Sequence, residues 1–133
     1  IDEVLELEPG VSAHSITQVF ADDWYLKCHL PKSVVMPGTL LTEAMLQTMV
    51  LIIYSMDNNK YPAFVTNFDV KLLSNINPPD VIHIKAQLDS FKRGVAVGKA
   101  EITSGEKVIC RGKFSYVSPH LFPQLVQQNK KEL

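Results

Sequence analysis

The sequence predicts an α+β domain in which an antiparallel sheet curls around one long buried central helix. Three features carry that expectation. Residues 39 to 56 contain neither glycine nor proline, are rich in leucine and methionine, and hold a single charge, Glu43. After residue 80, three runs alternate apolar and polar side chains and are joined by short turn-forming sequences. Two shorter alternating runs precede the helix. One helix among strands is covered most simply by wrapping the sheet around it.

In chain order, Ile1 to Leu7 alternates apolar and acidic residues up to the turn signal Glu8-Pro9-Gly10. Ser15 to Phe20 alternates again, and Asp22-Asp23 ends that run. A loop punctuated by Pro31 and Pro37 is expected as far as Gly38. The helix then runs from Thr39 to about Met56, ahead of the turn-prone Asp57-Asn58-Asn59. Being apolar nearly all round, it is expected to be a buried helix rather than a surface one. Phe64 to Leu73 is the next strand, closed by the loop from Asn75 to Asp80. Val81 to Phe91, Gly94 to Thr103 and Lys107 to Val117 form a meander, with tight turns at Lys92-Arg93-Gly94 and Ser104-Gly105. Pro119 and Pro123 open a polar tail. The expectation is therefore one domain over 1–133, with its core over 1–118 and a C-terminal tail over 119–133.

A net charge of −1 argues against nucleic acid as a partner, because no basic stripe can dominate the field. Lys92-Arg93, Lys130-Lys131 and the strand lysines read as solvated surface. Cys28 and Cys110 have no metal-ligand spacing and form no disulfide framework, so buried free thiols in a reducing compartment are expected. The most apolar run, Met45 to Tyr54, is too short to span a bilayer, and a soluble cytoplasmic protein is expected. Opening at Ile1 without Met fits a chain trimmed from something longer. A sheet covering one side of the helix leaves an edge strand and an apolar flank, which makes a homodimer the expected minimum.

The chemistry gathers in residues 29 to 47, HLPKSVVMPGTLLTEAMLQ. An ionised carboxylate is costly to bury alone, so such a group finds a cation or stays protonated. No basic residue lies within helical reach of Glu43. Gln47 is one turn on and Gly38-Thr39 about one turn back, on the same helix face. A protonated carboxyl on a dry surface can act as a general acid. The first amides of a helix lack internal acceptors, and Gly38 leaves room for a carbonyl oxygen to approach one of them. His29 is the one side chain of the stretch that titrates near neutral pH, a natural base. Taken singly, these are equally a loop histidine, a solvent-facing glutamate and an ordinary helix start. Together they form one ordered pattern.

That pattern, His-x-Pro, Met-Pro-Gly and Glu-Ala-Met-x-Gln, resembles the 3-hydroxyacyl-acyl-carrier-protein dehydratases of the FabZ/FabA type, which have a hotdog fold. The register agrees at His29, Pro31, Met36, Pro37, Gly38, Leu40, Glu43, Ala44, Met45 and Gln47, and Val4 to Gly10 resembles the first strand and turn of FabZ-type enzymes. Glu43, rather than aspartate, favours the FabZ branch. The resemblance implies that His29 is the base and Glu43 the acidic partner. It also implies that Gly38 N–H binds the thioester carbonyl, that the Val35 carbonyl orients the imidazole, and that Pro37 and Gln47 line the substrate site. It further implies an active site shared between two chains of a homodimer or trimer of dimers. The substrate would come on the phosphopantetheine arm of an acyl carrier protein, with no cofactor and no metal. Lys32, Lys92 and Arg93 are the candidates for meeting the acidic carrier.

Departures lie at Cys28, Lys32 and Val34, where the family usually has two glycines and a proline, and at Leu30, where it commonly has phenylalanine. Leu72-Leu73 and Pro78-Pro79-Asp80 stand roughly where the family has Arg-Phe and Pro-Gly-Asp. Two other readings compete. One is a hotdog acyl thioesterase whose carboxylate activates water. The other is a non-catalytic acyl or carrier-protein binding module, favoured by Lys32 and Val34.

Overall fold

The elements follow one another as β1 (Glu3–Glu8), β2 (Ser12–Val19), α1 (Trp24–His29), α2 (Gly38–Tyr54), β3 (Phe64–Leu72), β4 (Asp80–Lys92), β5 (Val95–Ser104) and β6 (Lys107–Val117). They are seen in a computed structural model that describes residues 1–30, 35–56 and 63–118. The expected turn at Asp57-Asn58-Asn59, the loop residues Pro31, Lys32 and Val34, and the tail from Pro119 onward lie outside the described residues. All six strands join one antiparallel sheet in the order β1-β2-β4-β5-β6-β3. The α+β expectation of a sheet around a helix is met.

Turn chemistry sets the meander. Arg93 and Gly94 both take positive φ, 52° and 76°, as a two-residue hairpin loop with the twist of its strands requires. Along β4 and β5 the inward positions Ile82, Ile84, Ala86, Ala96, Ala100 and Ile102 are buried, and their polar neighbours point outward. Gly98 shares that inward face. A Cβ there would strike Met49 Cε and stand 2.5 Å from the Gln87 carbonyl oxygen, so the strand is bare where the helix comes closest.

Helix α2 lies chiefly against β4, with β2 and β5 next. It buries Leu41, Ala44, Met45, Thr48, Met49, Ile52 and Ile53. In the single chain Thr39, Glu43, Gln47 and Tyr54 form an exposed stripe on the opposite face, because the sheet reaches only one side of the helix. Polar pins fix which face is which. Tyr116 Oη donates to the Leu46 carbonyl at 2.9 Å, Thr48 Oγ1 donates to the Ala44 carbonyl at 2.9 Å, and Ser15 Oγ lies 2.7 Å from Thr48 Oγ1.

Two expectations change. The stretch from Asp23 onward is not all loop. A short helix, α1, forms where Asp23 Oδ2 accepts from the Phe20 amide and the Tyr25 hydroxyl, both at 2.8 Å, and Leu26 is driven into the core at 2% exposure. Six residues are too few for a helical period to be read in sequence. Cys28, on this helix, is exposed rather than buried, whereas Cys110 is fully buried and its S–H faces Met45 Sδ at 4.0 Å.

The Ser15–Thr48 pair gives an asymmetric test. Thr48 already spends its proton on Ala44, so Ser15 supplies the proton between the two hydroxyls. Ser15→Ala leaves every remaining donor satisfied, whereas Thr48→Val strands a buried Ser15 hydroxyl. Urea unfolding is expected to show Thr48→Val costing about 1–3 kcal/mol and Ser15→Ala less.

Candidate active site

Two residues shape the start of α2. Pro37 is its N-cap at φ −57° and ψ 132°, and its carbonyl accepts from Leu40 N and Leu41 N at 3.0 and 3.3 Å. Gly38 follows as the first helical residue, with its own carbonyl accepting from Thr42 Oγ1 at 2.9 Å. No side chain caps the helix, and among the described residues nothing accepts from the Gly38 or Thr39 amide. With no acceptor among the described residues, those two N–H groups lie at the positive end of the helix dipole, which suits an anionic or partly anionic oxygen.

Gly38 is not glycine for the sake of backbone conformation. A Cβ built on it would lie 2.5 Å from Leu72 Cδ1, so the Leu72 side chain fills the space beside the first turn. Leu72 ends β3 and is 60% exposed. Its place beside Gly38 was not legible in sequence, where Leu72 reads as one more strand residue.

Glu43 stands on the open stripe, about 7.5 Å along the helix axis from Gly38 at the usual rise per residue. Gln47 Nε2 donates to Glu43 Oε1 at 2.9 Å and fixes the carboxylate's direction. Tyr116 lies behind it. Burial first, and then the charges of Glu43 and Tyr54, push the Tyr116 phenol well above its usual range, so it remains a donor to Leu46. The structure thus places Pro37 and Gly38 at the helix start and Glu43 and Gln47 one turn apart on the exposed stripe in line with Thr39, with half-buried Val35 just before the helix. His29 is the last residue of α1, and its side chain lies outside the described part.

A concavity of about 980 Å³ lies elsewhere. It crosses the outer face of the sheet, lined by His14, Lys85, Lys99, Arg111 and Lys113 among others, and none of the candidate residues borders it. Beside it His14 Nε2 and His83 Nδ1 are 2.8 Å apart, a contact that needs a proton on one of the two nitrogens only. His14 has a lowered pKa. Burial is the first cause, and the charges of His83 and Lys85 add to it against a smaller opposing effect of Glu6. Among the described residues no three His, Cys, Asp or Glu side chains gather as metal ligands do, and no helix is long and apolar enough to cross a membrane.

Residues 1–113 match the family model described as FabA-like domain. Among curated relatives, the chain is 30% identical over 118 residues to the 3-hydroxyacyl-[acyl-carrier-protein] dehydratase FabZ of Roseiflexus sp. (strain RS-1), covering 87% of this chain and 82% of that protein. To the enzyme of the same name from Alkaliphilus metalliredigens it is 28% identical over 124 residues, covering 90% and 84%. Solved structures with the same fold include the phenylacetic acid degradation protein PaaI from Thermus thermophilus (TM-score 0.71, 19% identity, 87% of this chain and 91% of that one). Another is the zebrafish thioesterase superfamily member 2 (TM-score 0.73, 15% identity, 87% and 80%). At such identities these two attest the hotdog fold alone.

Two outcomes are expected here. Gly38→Ala should stay within about 1 kcal/mol of the parent in urea unfolding, because the exposed Leu72 tip can swing aside and alanine favours the helix. Gly98→Ala should lose about 1–3 kcal/mol, because the Gln87 carbonyl is backbone and cannot. The second outcome concerns His14, whose pKa in the folded chain is below its ordinary 6.5. The unfolded chain therefore binds more protons just below that value. Stability from a neutral His14 is complete above pH 6.5 and is lost as the pH falls below it. Unfolding measured from pH 7.5 to 5 should show that decline, flattened in His14→Gln.

Proposed function

The chain belongs to the FabA-like family, and from that premise we propose that it is a dehydratase, removing water from a 3-hydroxyacyl thioester to give the trans-2-enoyl thioester. The observation that carries the reading is the register of His29, Gly38 and Glu43, with Gly38 opening α2 beside two amides that have no acceptor among the described residues. The acyl group arrives on the phosphopantetheine arm of an acyl carrier protein, the carrier named for the FabZ relatives.

His29 takes the C2 proton, held in its working orientation by the Val35 carbonyl. Negative charge then develops on the thioester oxygen, and the Gly38 N–H stabilises it at the helix's positive end. The electron pair from the broken C2–H bond becomes the C2–C3 double bond as the C3–O bond breaks. Glu43 protonates the departing hydroxyl, which leaves as water, and Gln47 keeps the carboxyl aimed. No electrons are gained or lost overall, so the reaction needs no oxidant or reductant.

The acid role needs a dry carboxyl, and Glu43 in a single chain faces solvent. A second copy supplies the cover. Edge strand β3 exposes Val65, Phe68 and Leu72, with Leu73 just beyond, and it lies at the end of the sheet. A homodimer closed on this side buries the α2 stripe and brings His29 of one chain to Glu43 of the other. Lys92 and Arg93, at the β4–β5 turn, offer cations to the acidic carrier, and Lys32 lies outside the described residues. The free thiols Cys28 and Cys110 suit a reducing, cytoplasmic setting.

Turnover of a 3-hydroxybutyryl thioester, followed by enoyl absorbance and by mass spectrometry, tests the reading and separates it from thioester hydrolysis. Glu43→Gln should fold normally and lose roughly 10² or more in rate, and His29→Ala should be inactive. Mixing the two under subunit exchange should restore part of the activity, because some heterodimers keep one intact pair. Full activity in Glu43→Gln, release of free thiol in place of the enoyl product, or a folded monomer by sedimentation at micromolar concentration would each overturn it.

A further inference from the structure

The outer face of the sheet carries charges that the proposed reaction does not use. Lys71 on β3, Arg111 and Lys113 on β6, Lys99 on β5 and Lys85 on β4 all border the concavity of about 980 Å³ there. Strand register gathers them. Lys71 stands opposite Arg111, and Lys99 stands opposite Lys113. Antiparallel partners are about 4.5–5.5 Å apart at Cα, and residues two apart along one strand about 6.8 Å. Four cations therefore form a compact group over three adjacent strands. Lys85 extends it through Glu101, its partner across β4 and β5. Like charges set directly opposite one another destabilise a sheet, and this face holds two such pairs side by side. Little offsets them. Among the described residues Arg111 Nε meets Glu101 Oε2 at 2.8 Å, while the four lysines have no ion-pair partner.

We propose that this concavity binds a small ligand carrying two or more phosphate groups. Ammonium point charges and a guanidinium fork are the side-chain groups best suited to phosphate oxygens. The two opposed pairs offer two cations to each of two phosphates, and the bound charge relieves the repulsion within each pair. The volume lies within the range of small-molecule sites, about 300–1,000 Å³. Acids bound the patch, Asp69 on β3 and Glu6 on β1. They disfavour a long polyanion running off either end and leave room for a short one. The concavity is separate from the start of α2, so the proposal does not depend on the dehydratase reading. Edge-to-edge pairing of β3 would engage that strand's backbone and leave the outer face of the sheet uncovered.

Titration calorimetry at low salt with tripolyphosphate, ADP and adenosine tests it on the whole chain. Tripolyphosphate and ADP should each bind once per chain and raise the melting temperature, and adenosine should do neither. Tighter binding of ADP than of tripolyphosphate assigns the site to a nucleotide, and the reverse order to an inorganic oligophosphate. The double variant Lys99→Gln/Lys113→Gln should bind tripolyphosphate weaker by about tenfold or more, and Lys85→Gln should weaken it as well. Lys27→Gln, an exposed lysine on α1, should leave the affinity unchanged. Without ligand the double variant should melt at or above the parent temperature, since it removes one opposed pair. No binding of tripolyphosphate at millimolar concentration, an unchanged affinity in the double variant, or an equal loss in Lys27→Gln overturns the proposal.

Discussion

Everything in this molecule follows from covering α2. The helix carries one charge in its whole length and presents Met45, Met49, Ile52 and Ile53 at 1% exposure or less to the sheet. Each such side chain contributes about 1.5–3 kcal/mol by leaving water. A sheet can wrap only so far, however, and the six strands stop short of the face that bears Glu43. The same constraint that stabilises the chain therefore leaves exposed the stripe to which the proposed chemistry is assigned.

Close approach between helix and sheet depends on small residues in register. Ala13, Ala86, Ala100 and Gly112 are successive cross-strand partners over β2, β4, β5 and β6. Gly98, on the inward face of β5, lies directly under Met49. Bulk on the helix is matched by absence of bulk on the strands. The polar pins from Tyr116, Thr48 and Ser15 then set the helix's rotation, since apolar packing alone is not directional. A rotation of one residue would turn Glu43 toward its apolar neighbours, so those hydroxyls belong to the geometry of the site as much as to the core.

Much of this was legible in the residues. The long apolar run marked α2 to within two residues at each end, and the alternation with Arg93-Gly94 marked the meander. Thr39, Glu43 and Gln47 were readable as one face because helical spacing is fixed. What the sequence hid was relational. Apolar composition marked a buried helix, but composition does not say how far round it a sheet will reach. Cys28 looked buried among apolar neighbours, but α1 turns it outward. Leu72 and Gly38 are far apart in the chain, and nothing local announces that one fills the other's missing side chain.

The two ends of the sheet are chemically unlike, and this limits what the fold can build. Strand β3 offers its outer edge with Val65 and Phe68 exposed, whereas β1 carries Glu3, Glu6 and Glu8 along a wholly exposed six-residue strand. Another copy adding to β1 in the same manner would set carboxylates against carboxylates, and like charges opposed across strands are destabilising. Strand-by-strand growth is therefore favoured at one end and discouraged at the other. In the proposed dimer, pairing of β3 with its own copy would consume the permissive edge of both chains at once, and such an assembly would close as a pair without running on into a fibre.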